Sequence, residues 1–404
     1  MKLLPRPSGF SKESLMLPPR HTLLAWYNLV HERRRLITAL AGVAFAVLLM
    51  FVFLGFKNAL YDSQTQLLEL LNGDVVIINR IKENMFVPEQ FARRRLYQAQ
   101  AFEGVEDGYS LYIATADWKN PETKLIRPLR VLAFNPEEPV LPLPGVLNYQ
   151  DQLRMPWTAL IDDRSRPEVG PMEVGIGTEL MEQQIRIVGT FSLGTDFAAG
   201  NGNVVMSDQN FVRYFARLGP EEDSRTLNTV DIGLLTVAEG YDLDTLVQTL
   251  SDRLPKDVLV LTKDAFAQRE RTYWEENTNI GFVFSLLTIM SFIVGIILVY
   301  QILYTDIADH WAEYATMKAM GYTNLNLFVI VIQEAVILAF LGFIPGLLTS
   351  LILYDLAMNA TGLLMILTPG RALNIFVSTF VMCLVSGAIA VRKVQSTDPA
   401  EVFG

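Results

Sequence analysis

The sequence predicts a membrane α-helical protein with four transmembrane helices, arranged one plus three, and a large α+β domain inserted between the first and second. Three observations carry this reading. Four apolar runs, Ile37 to Phe56, Ile280 to Tyr304, a stretch within Leu325 to Tyr354, and Leu373 to Val391, are each long enough to cross a hydrocarbon core, which takes about 20 apolar residues. Most of the chain's polar sequence lies between the first run and the second. The composition is 51% hydrophobic with a mean hydropathy of +0.28, yet 19% charged, so membrane and soluble parts are mixed in one chain.

Residues 1–36 form a tail with seven basic residues and two acidic ones, which places the N-terminus in the cytoplasm by the positive-inside rule. Within it, His21 to Arg35 reads as an amphipathic helix lying on the membrane surface. Trp26 and Tyr27 would sit at headgroup depth, with Arg33, Arg34 and Arg35 facing anionic lipid; a cytosolic extension of the first span is the alternative. The first span, 37–56, begins too far from the N-terminus and lacks the small-residue cleavage site of a signal peptide, so it is an anchor. Four crossings return the C-terminal tail, 392–404, to the cytoplasmic side and put residues 57–279 outside. Against this orientation, the inner loop 305–324 carries Asp306, Asp309 and Glu313 but only Lys318 among cations.

The outer segment holds 22 basic and 34 acidic residues between Lys57 and Thr278 and no cysteine, so its core must form without disulfides. Strands are expected at Asp74 to Asn79, Tyr109 to Ala116, Arg127 to Phe134, Thr158 to Ile161, Gln184 to Phe191, Thr229 to Thr236 and Asp257 to Leu261. Helices are expected at Pro88 to Phe102, Asp208 to Leu218, Leu243 to Leu254 and Lys263 to Asn277, with Ser207 and Thr262 as N-caps. Prolines and glycines from Asn135 to Gly177 suggest a loop-rich subdomain around 135–228 inserted into a more regular one. The last helix runs almost directly into the second span, 280–304, as a rigid rod.

In the membrane part, Gly42 and Ala46 form a small-xxx-small pair suited to a close helix contact between two copies of the chain. The third helix, 325–354, would be about 45 Å long at helical rise, more than a bilayer core of about 30 Å needs, so its first turns project into the cytoplasm and Glu334 lies near the inner interface. Pro345 marks a kink. A short outer loop, 355–372, precedes the fourth span, 373–391.

Catalytic constellations are thin. The histidines His21, His31 and His310 lie on the inner side without metal-ligand spacing, and the outer domain has none. Asp162, Asp163 and Asp196 read as solvated turn carboxylates. The glycine-rich run Gly194 to Gly202 lacks a lysine and leads into a strand, and no Gly-Lys dipeptide, hence no P-loop, occurs in the chain. The chain is expected to be no enzyme, to bind no cofactor, and to have no nucleic-acid partner.

The loop between the second and third spans is the most informative local stretch. His310, Trp311, Glu313, Tyr314, Met317, Lys318, Ala319 and Met320 read as a short helix with an apolar tip, closed by Gly321, suited to insertion into a groove of a soluble protein. An ordinary interhelical loop is the plainer alternative. The stretch resembles the coupling helix of FtsX-like permeases of the MacB and LolC type, with Glu313, Ala315, Lys318, Ala319 and Gly321 at matching places and Tyr314 and Met317 departing from the usual aliphatics. Leu24 to Leu29 followed by Arg34 and Arg35 resembles the family's opening, Gln333 to Ala335 a Glu-Ala pair of its third span, and Asp398 to Glu401 its ending. The runs Leu40 to Met50, Gly189 to Phe197 and Ile280 to Phe284 are similar to the DevC-type permeases of that family.

The resemblance implies the permease subunit of a tripartite ATP-binding-cassette exporter in the bacterial inner membrane, with both termini cytoplasmic and the large domain periplasmic. ATP and Mg would sit on a separate ATPase dimer, since the N-terminal tail is too short to hold one. Further implied partners are a second copy of the chain, a periplasmic membrane-fusion adaptor, an outer-membrane TolC-like channel reached through the adaptor, and membrane lipids. The implied cargo is glycolipid-like or otherwise amphiphilic. An FtsX-like regulator of a periplasmic cell-wall hydrolase and a lipoprotein-release permease remain alternatives.

Overall fold

The computed structural model describes residues 33–196, 200–216, 225–313, 316, 324–361, 363 and 365–395. Among the described residues, four helices are long and apolar enough to cross a membrane: α1 (Arg33–Leu70), α8 (Asn279–Asp309), α9 (Asn324–Thr361) and α10 (Pro369–Gln395). Between α1 and α8 lies an α+β domain, so the expected class holds. The chain divides into two compact units, and the division falls within or beside each long helix: one unit takes the described parts of Met1–Phe51, Thr288–Ser350 and Thr368–Gly404, the other Val52–Leu287 and Leu351–Leu367.

The membrane unit is held by glycines that let helices approach. A Cβ on Gly342 would lie 2.5 Å from Val43, and one on Gly346 would lie 2.7 Å from Val47 and 2.9 Å from the Ala44 carbonyl, so α9 packs closely on α1. Gly295 of α8 faces Ala46 and Met382, and the Ser386 hydroxyl of α10 donates to the Ile296 carbonyl at 3.0 Å. Small residues are the expected contact formers where lipid removes the hydrophobic drive between helices. Glu334 is buried to 1% exposure.

In the second unit the sheet has nine strands: β1 (Val75–Asn79), β3 (Val105–Lys119), β4 (Ile126–Phe134), β5 (Thr158–Asp162), β6 (Gly177–Leu180), β7 (Gln183–Phe191), β8 (Asn203–Ser207), β10 (Ile232–Val237) and β11 (Val258–Thr262), in the order β11-β1-β10-β3-β4-β8-β5-β7-β6. The long β3 serves two assemblies. Its first half pairs with β10, and β11-β1-β10-β3 is antiparallel throughout; with α2 (Arg94–Gln100) and α6 (Leu243–Arg253) it makes a split βαβ unit of βαββαβ sequence. Its second half pairs with β4 and also with β6, through Trp118 opposite Leu180, so β3-β4-β8-β5-β7-β6 closes into a ring. Closure removes the exposed strand edges that invite aggregation.

Alternation along the strands builds two cores. Leu129, Val131, Ile161, Ile187 and Val204 join Leu96 of α2, Leu250 of α6 and Phe211 of α5 (Asp208–Phe215) on one face. Leu132, Phe134, Leu160 and Val205 join Leu67, Leu68 and Leu71 of the α1 end, Val146 of α3 (Pro144–Leu147), Leu153 of α4 (Gln150–Leu153) and Phe266 of α7 (Lys263–Asn277) on the other. The N-caps form as expected: the hydroxyls of Ser207 and Thr262 accept from the backbone N–H of Asn210 and Ala265.

Several expectations need correction. The first helix does not stop at Phe56 but continues to Leu70, because Tyr61, Gln64, Leu67 and Leu68 recur at helical spacing and become buried in the domain. Pro88 to Phe102 is not one helix. Phe91–Ala92 (β2) pairs with Thr229–Val230 (β9), and only Arg94–Gln100 is helical. The strand expected over Thr229 to Thr236 is broken at Asp231, which accepts from the Ile113 N–H and the Arg225 guanidinium. The segment read as loop-rich contributes β5 to β8 to the ring. The α7 helix is not a rigid rod into α8, for Thr278 between them is extended at φ −119° and ψ 136°.

Candidate functional site

Two helices of the sheet-domain unit, the end of α1 and α7 with the start of α8, run antiparallel and are fastened at three levels. At the first, the Lys263 ammonium donates to the carbonyls of Leu71 and Glu69 at 2.6 and 3.1 Å, and the Lys263 N–H donates to the Asp74 carbonyl at 2.8 Å. A cation at the last carbonyls of α1 satisfies groups that a helix end leaves open and complements the helix dipole. Burial holds the Lys263 pKa below the usual lysine range. At the second level Arg271 pairs with Asp62 at 3.0 Å. At the third, the Lys57 ammonium donates to the Ser285 hydroxyl at 3.0 Å while Phe56 and Phe284 stack at 6.0 Å. The result is a strut whose two lengths of chain continue covalently into the first and second apolar helices, with one non-helical residue, Thr278, as its only break on the α7 to α8 side.

Beside the strut, Glu270 of α7 is fully buried near Lys82 of the β1–β2 loop, itself 1% exposed. Burial pushes the Glu270 carboxyl up to about 7, with Lys82 and Arg269 pulling the other way, and burial pulls the Lys82 ammonium down. Lys82 donates to the carbonyls of Val87 and, at 3.4 Å, Glu89, and the Arg269 guanidinium donates to the Lys82 carbonyl at 2.9 Å. The loop is thereby tied to α7.

A second buried cluster pins the glycine-rich run. Arg130 donates to Asn203 at 2.7 Å and to Asp196, and Asn203 donates to Asp162 at 2.7 Å and to the Gly194 carbonyl at 2.8 Å. Asp162 also accepts from the N–H groups of Leu193 and Gly194 at 3.0 and 2.9 Å. All four side chains are at most 4% exposed. The expectation that Asp162 and Asp196 are solvated is therefore corrected: nonlocal partners on β4 and β8 enclose them. Asp163 alone fits it, exposed and accepting from Ser192 at 2.7 Å.

Of the residues expected to contact a soluble partner, His310, Trp311 and Glu313 are described. The chain leaves α8 at Asp309, turns at His310, whose N–H donates to the Asp306 carbonyl at 3.2 Å, and is helical again at 311–313 and 316, with the Thr316 hydroxyl donating to the Ala312 carbonyl at 2.8 Å. Tyr314, Ala315, Met317, Lys318, Ala319, Met320 and Gly321 lie outside the described residues, as do Trp26, Tyr27 and the side chains of Arg33, Arg34 and Arg35. Ala46 is fully buried against Gly295, and a Cβ on Gly42 would lie 3.3 Å from Ile302. Within the single chain both positions pack against the chain's own helices, Gly42 remaining partly exposed. Among the described residues no group of three or more His, Cys, Asp or Glu side chains could hold a metal ion.

Residues 285–399 match the family described as FtsX-like permease C-terminal. The chain is 24% identical over 249 residues to the macrolide export ATP-binding/permease protein MacB of Mannheimia succiniciproducens, covering 61% of this chain and 35% of that protein, so it spans about a third of the length of the curated relative it matches. Among solved structures, the periplasmic region of MacB from Actinobacillus actinomycetemcomitans aligns at 10% identity and a TM-score of 0.34, covering 52% of this chain and 95% of that one. The extracellular domain of the noncanonic ABC-type transporter YknZ from Gram-positive bacteria aligns at 9% identity and a TM-score of 0.31, covering 47% and 100%.

Proposed function

We propose, for a chain whose residues 285–399 match the FtsX-like permease C-terminal family, that it is the membrane subunit of an ATP-binding-cassette exporter of amphiphilic cargo and that it works by transmitting force. A separate ATPase dimer, holding ATP and Mg, docks on the loop between α8 and α9 of each of two copies of this chain in the bacterial inner membrane. The three-level strut is the observation that carries the reading. Movement of α1 and α8 has a fastened route to the roots of the sheet: α1 ends just before β1, and α7 follows β11 directly. The sheet domain, on the periplasmic side with both termini cytoplasmic, would then drive cargo through an adaptor and a TolC-like outer-membrane channel. In this scheme the cargo need not cross the four helices.

The chain's own residues supply docking, leverage and a joint. Trp311, Glu313, Tyr314, Met317 and Lys318 present the docking surface, α9 at about 57 Å of helical rise is the lever, and Thr278 is the joint. The test is a pull-down of the partner ATPase with Met317→Asp and Lys318→Glu combined. Loss of association with normal membrane insertion is expected; unchanged association contradicts the docking assignment.

A further inference from the structure

An open groove of about 1390 Å³ lies against the ring on the side of β6 and β7. One wall is the turn Met155-Pro156-Trp157, which is built rather than loose. Trp157 sits at φ +63°, a left-handed conformation that bulky residues rarely adopt, yet its side chain is not buried to compensate. The fully buried amide of Asn210 holds it there: Asn210 accepts from the Trp157 N–H at 3.1 Å and donates to the carbonyls of Met155 and Thr158 at 2.9 and 3.1 Å. The indole then meets the buried Tyr214 ring edge-on at 5.3 Å, and Tyr214 is fixed in turn by donating to the Gln184 carbonyl at 2.7 Å. Strain held by a satisfied buried network is the signature of a surface shaped for contact.

What the groove offers is apolar surface beside positive charge. Met155, Trp157 and Val174 are 46%, 42% and 57% exposed, and Leu125 and Ile126, adjoining the lining residue Lys124, are 53% and 57% exposed. The charged lining residues are Lys119, Lys124 and Arg186 against Glu179, which pairs with Lys119 at 2.9 Å. Lys124 and Arg186 are exposed and unmatched by a carboxylate among the described ion pairs. This excess of cations stands out in a segment with 34 acidic and 22 basic residues. Such a domain repels anions in general, so a local cationic rim beside an aromatic wall selects for one class of ligand.

We infer that this groove is a binding site for an anionic amphiphile, a single acyl chain with a carboxylate or phosphate head. The acyl chain lies along Met155, Trp157 and Val174 while the head pairs with Lys124 and Arg186. The site rests on the groove's own chemistry and stands whether or not the chain exports the ligand: occupancy in the isolated chain tests the groove, and ATP-driven transport tests the exporter reading.

The experiment uses the full chain in nanodiscs of zwitterionic lipid and a diazirine-bearing palmitate as probe, with labelled peptides identified by mass spectrometry. Label is expected on the peptides holding Met155 to Trp157 and Val174, displaced by excess palmitate or by lysophosphatidic acid but not by hexadecanol. Relative displacement by those two separates a carboxylate from a phosphate head. Lys124→Glu with Arg186→Glu is expected to lower groove labelling about tenfold and leave labelling of the apolar helices unchanged, which also shows that the variant is folded. Equal displacement by hexadecanol, unchanged labelling in the double variant, or label confined to the apolar helices would each overturn the proposal. So would a groove that takes no label but whose Arg186→Glu variant loses an acidic protein partner, which would make it a protein-docking surface.

Discussion

Arg271 and Asp62, 209 positions apart in sequence, form an ion pair at 3.0 Å that fastens α7 to the end of α1 midway along the strut. Both side chains are partly exposed, at 30% and 23%, so the pair adds little to stability, roughly 1 kcal/mol or less. Arg271→Ala is therefore expected to leave thermal unfolding of the purified chain nearly unchanged. An effect of that substitution on coupling cannot then be blamed on unfolding.

The cluster around Arg130 behaves differently. Arg130→Met would leave Asp196 and Asn203 buried without their cation, and breaking a buried pair from one side costs about 3–5 kcal/mol. A large drop in the unfolding midpoint is expected, read by intrinsic fluorescence on heating. Asn203→Ala should also lower it, since Asp162 keeps its N–H donors but loses the Asn203 amide.

Glu270 makes stability pH-dependent, with a sign opposite to that of an ordinary paired carboxylate. Its folded pKa, about 7, lies above the usual value of 4.5, so the folded state holds the proton more tightly. Below pH 4.5 both states are protonated and the group costs nothing. As pH rises from there to about 7 the unfolded chain ionises first, and stability falls by up to about 3 kcal/mol, which then persists at higher pH. Glu270→Gln is expected to raise the unfolding midpoint at pH 8 more than at pH 5; an equal shift at both would refute the assignment. Lys82, whose pKa is lowered, contributes in its own window toward the ordinary lysine range, where stability rises with pH.

The membrane unit can be probed with single methyl groups. Gly346→Ala would drive a Cβ to 2.9 Å from the Ala44 carbonyl oxygen, a backbone atom that cannot swing away, and overpacking of this kind costs about 1–3 kcal/mol. Gly370→Ala meets nothing within 4 Å and serves as the matched control. Lower thermal stability in detergent is expected for the first substitution alone.

Much of this architecture is legible in local sequence. The four apolar runs mark the four helices, and Thr262 with the pattern after it marks α7 from Lys263 to Asn277. The strut is not legible as a contact, because Lys263, Arg271 and Lys57 read as ordinary solvated charges until the partners at Leu71, Asp62 and Ser285 arrive from elsewhere in the chain. Likewise Asp162 and Asp196 sit in turn-like sequence, and only β4 and β8 enclose them. The ring depends on Trp118 meeting Leu180, for which no short-range signal exists. Phe91 shows the converse: its segment has helical composition, but pairing with Val230 overrides that preference.

The central claim is that nucleotide-driven movement reaches the sheet domain through the strut. Its most direct measurement is the spin-label distance between two copies of the chain, labelled at Asp252→Cys on the exposed face of α6, in complex with the partner ATPase with and without ATP and vanadate. The native cysteine, Cys383, is buried and should remain unlabelled. We expect the nucleotide-dependent distance change to be present in the otherwise unaltered chain, lost with Arg271→Asp, and restored when Asp62→Arg is added to it. A change of the same size in the Arg271→Asp chain would contradict the account.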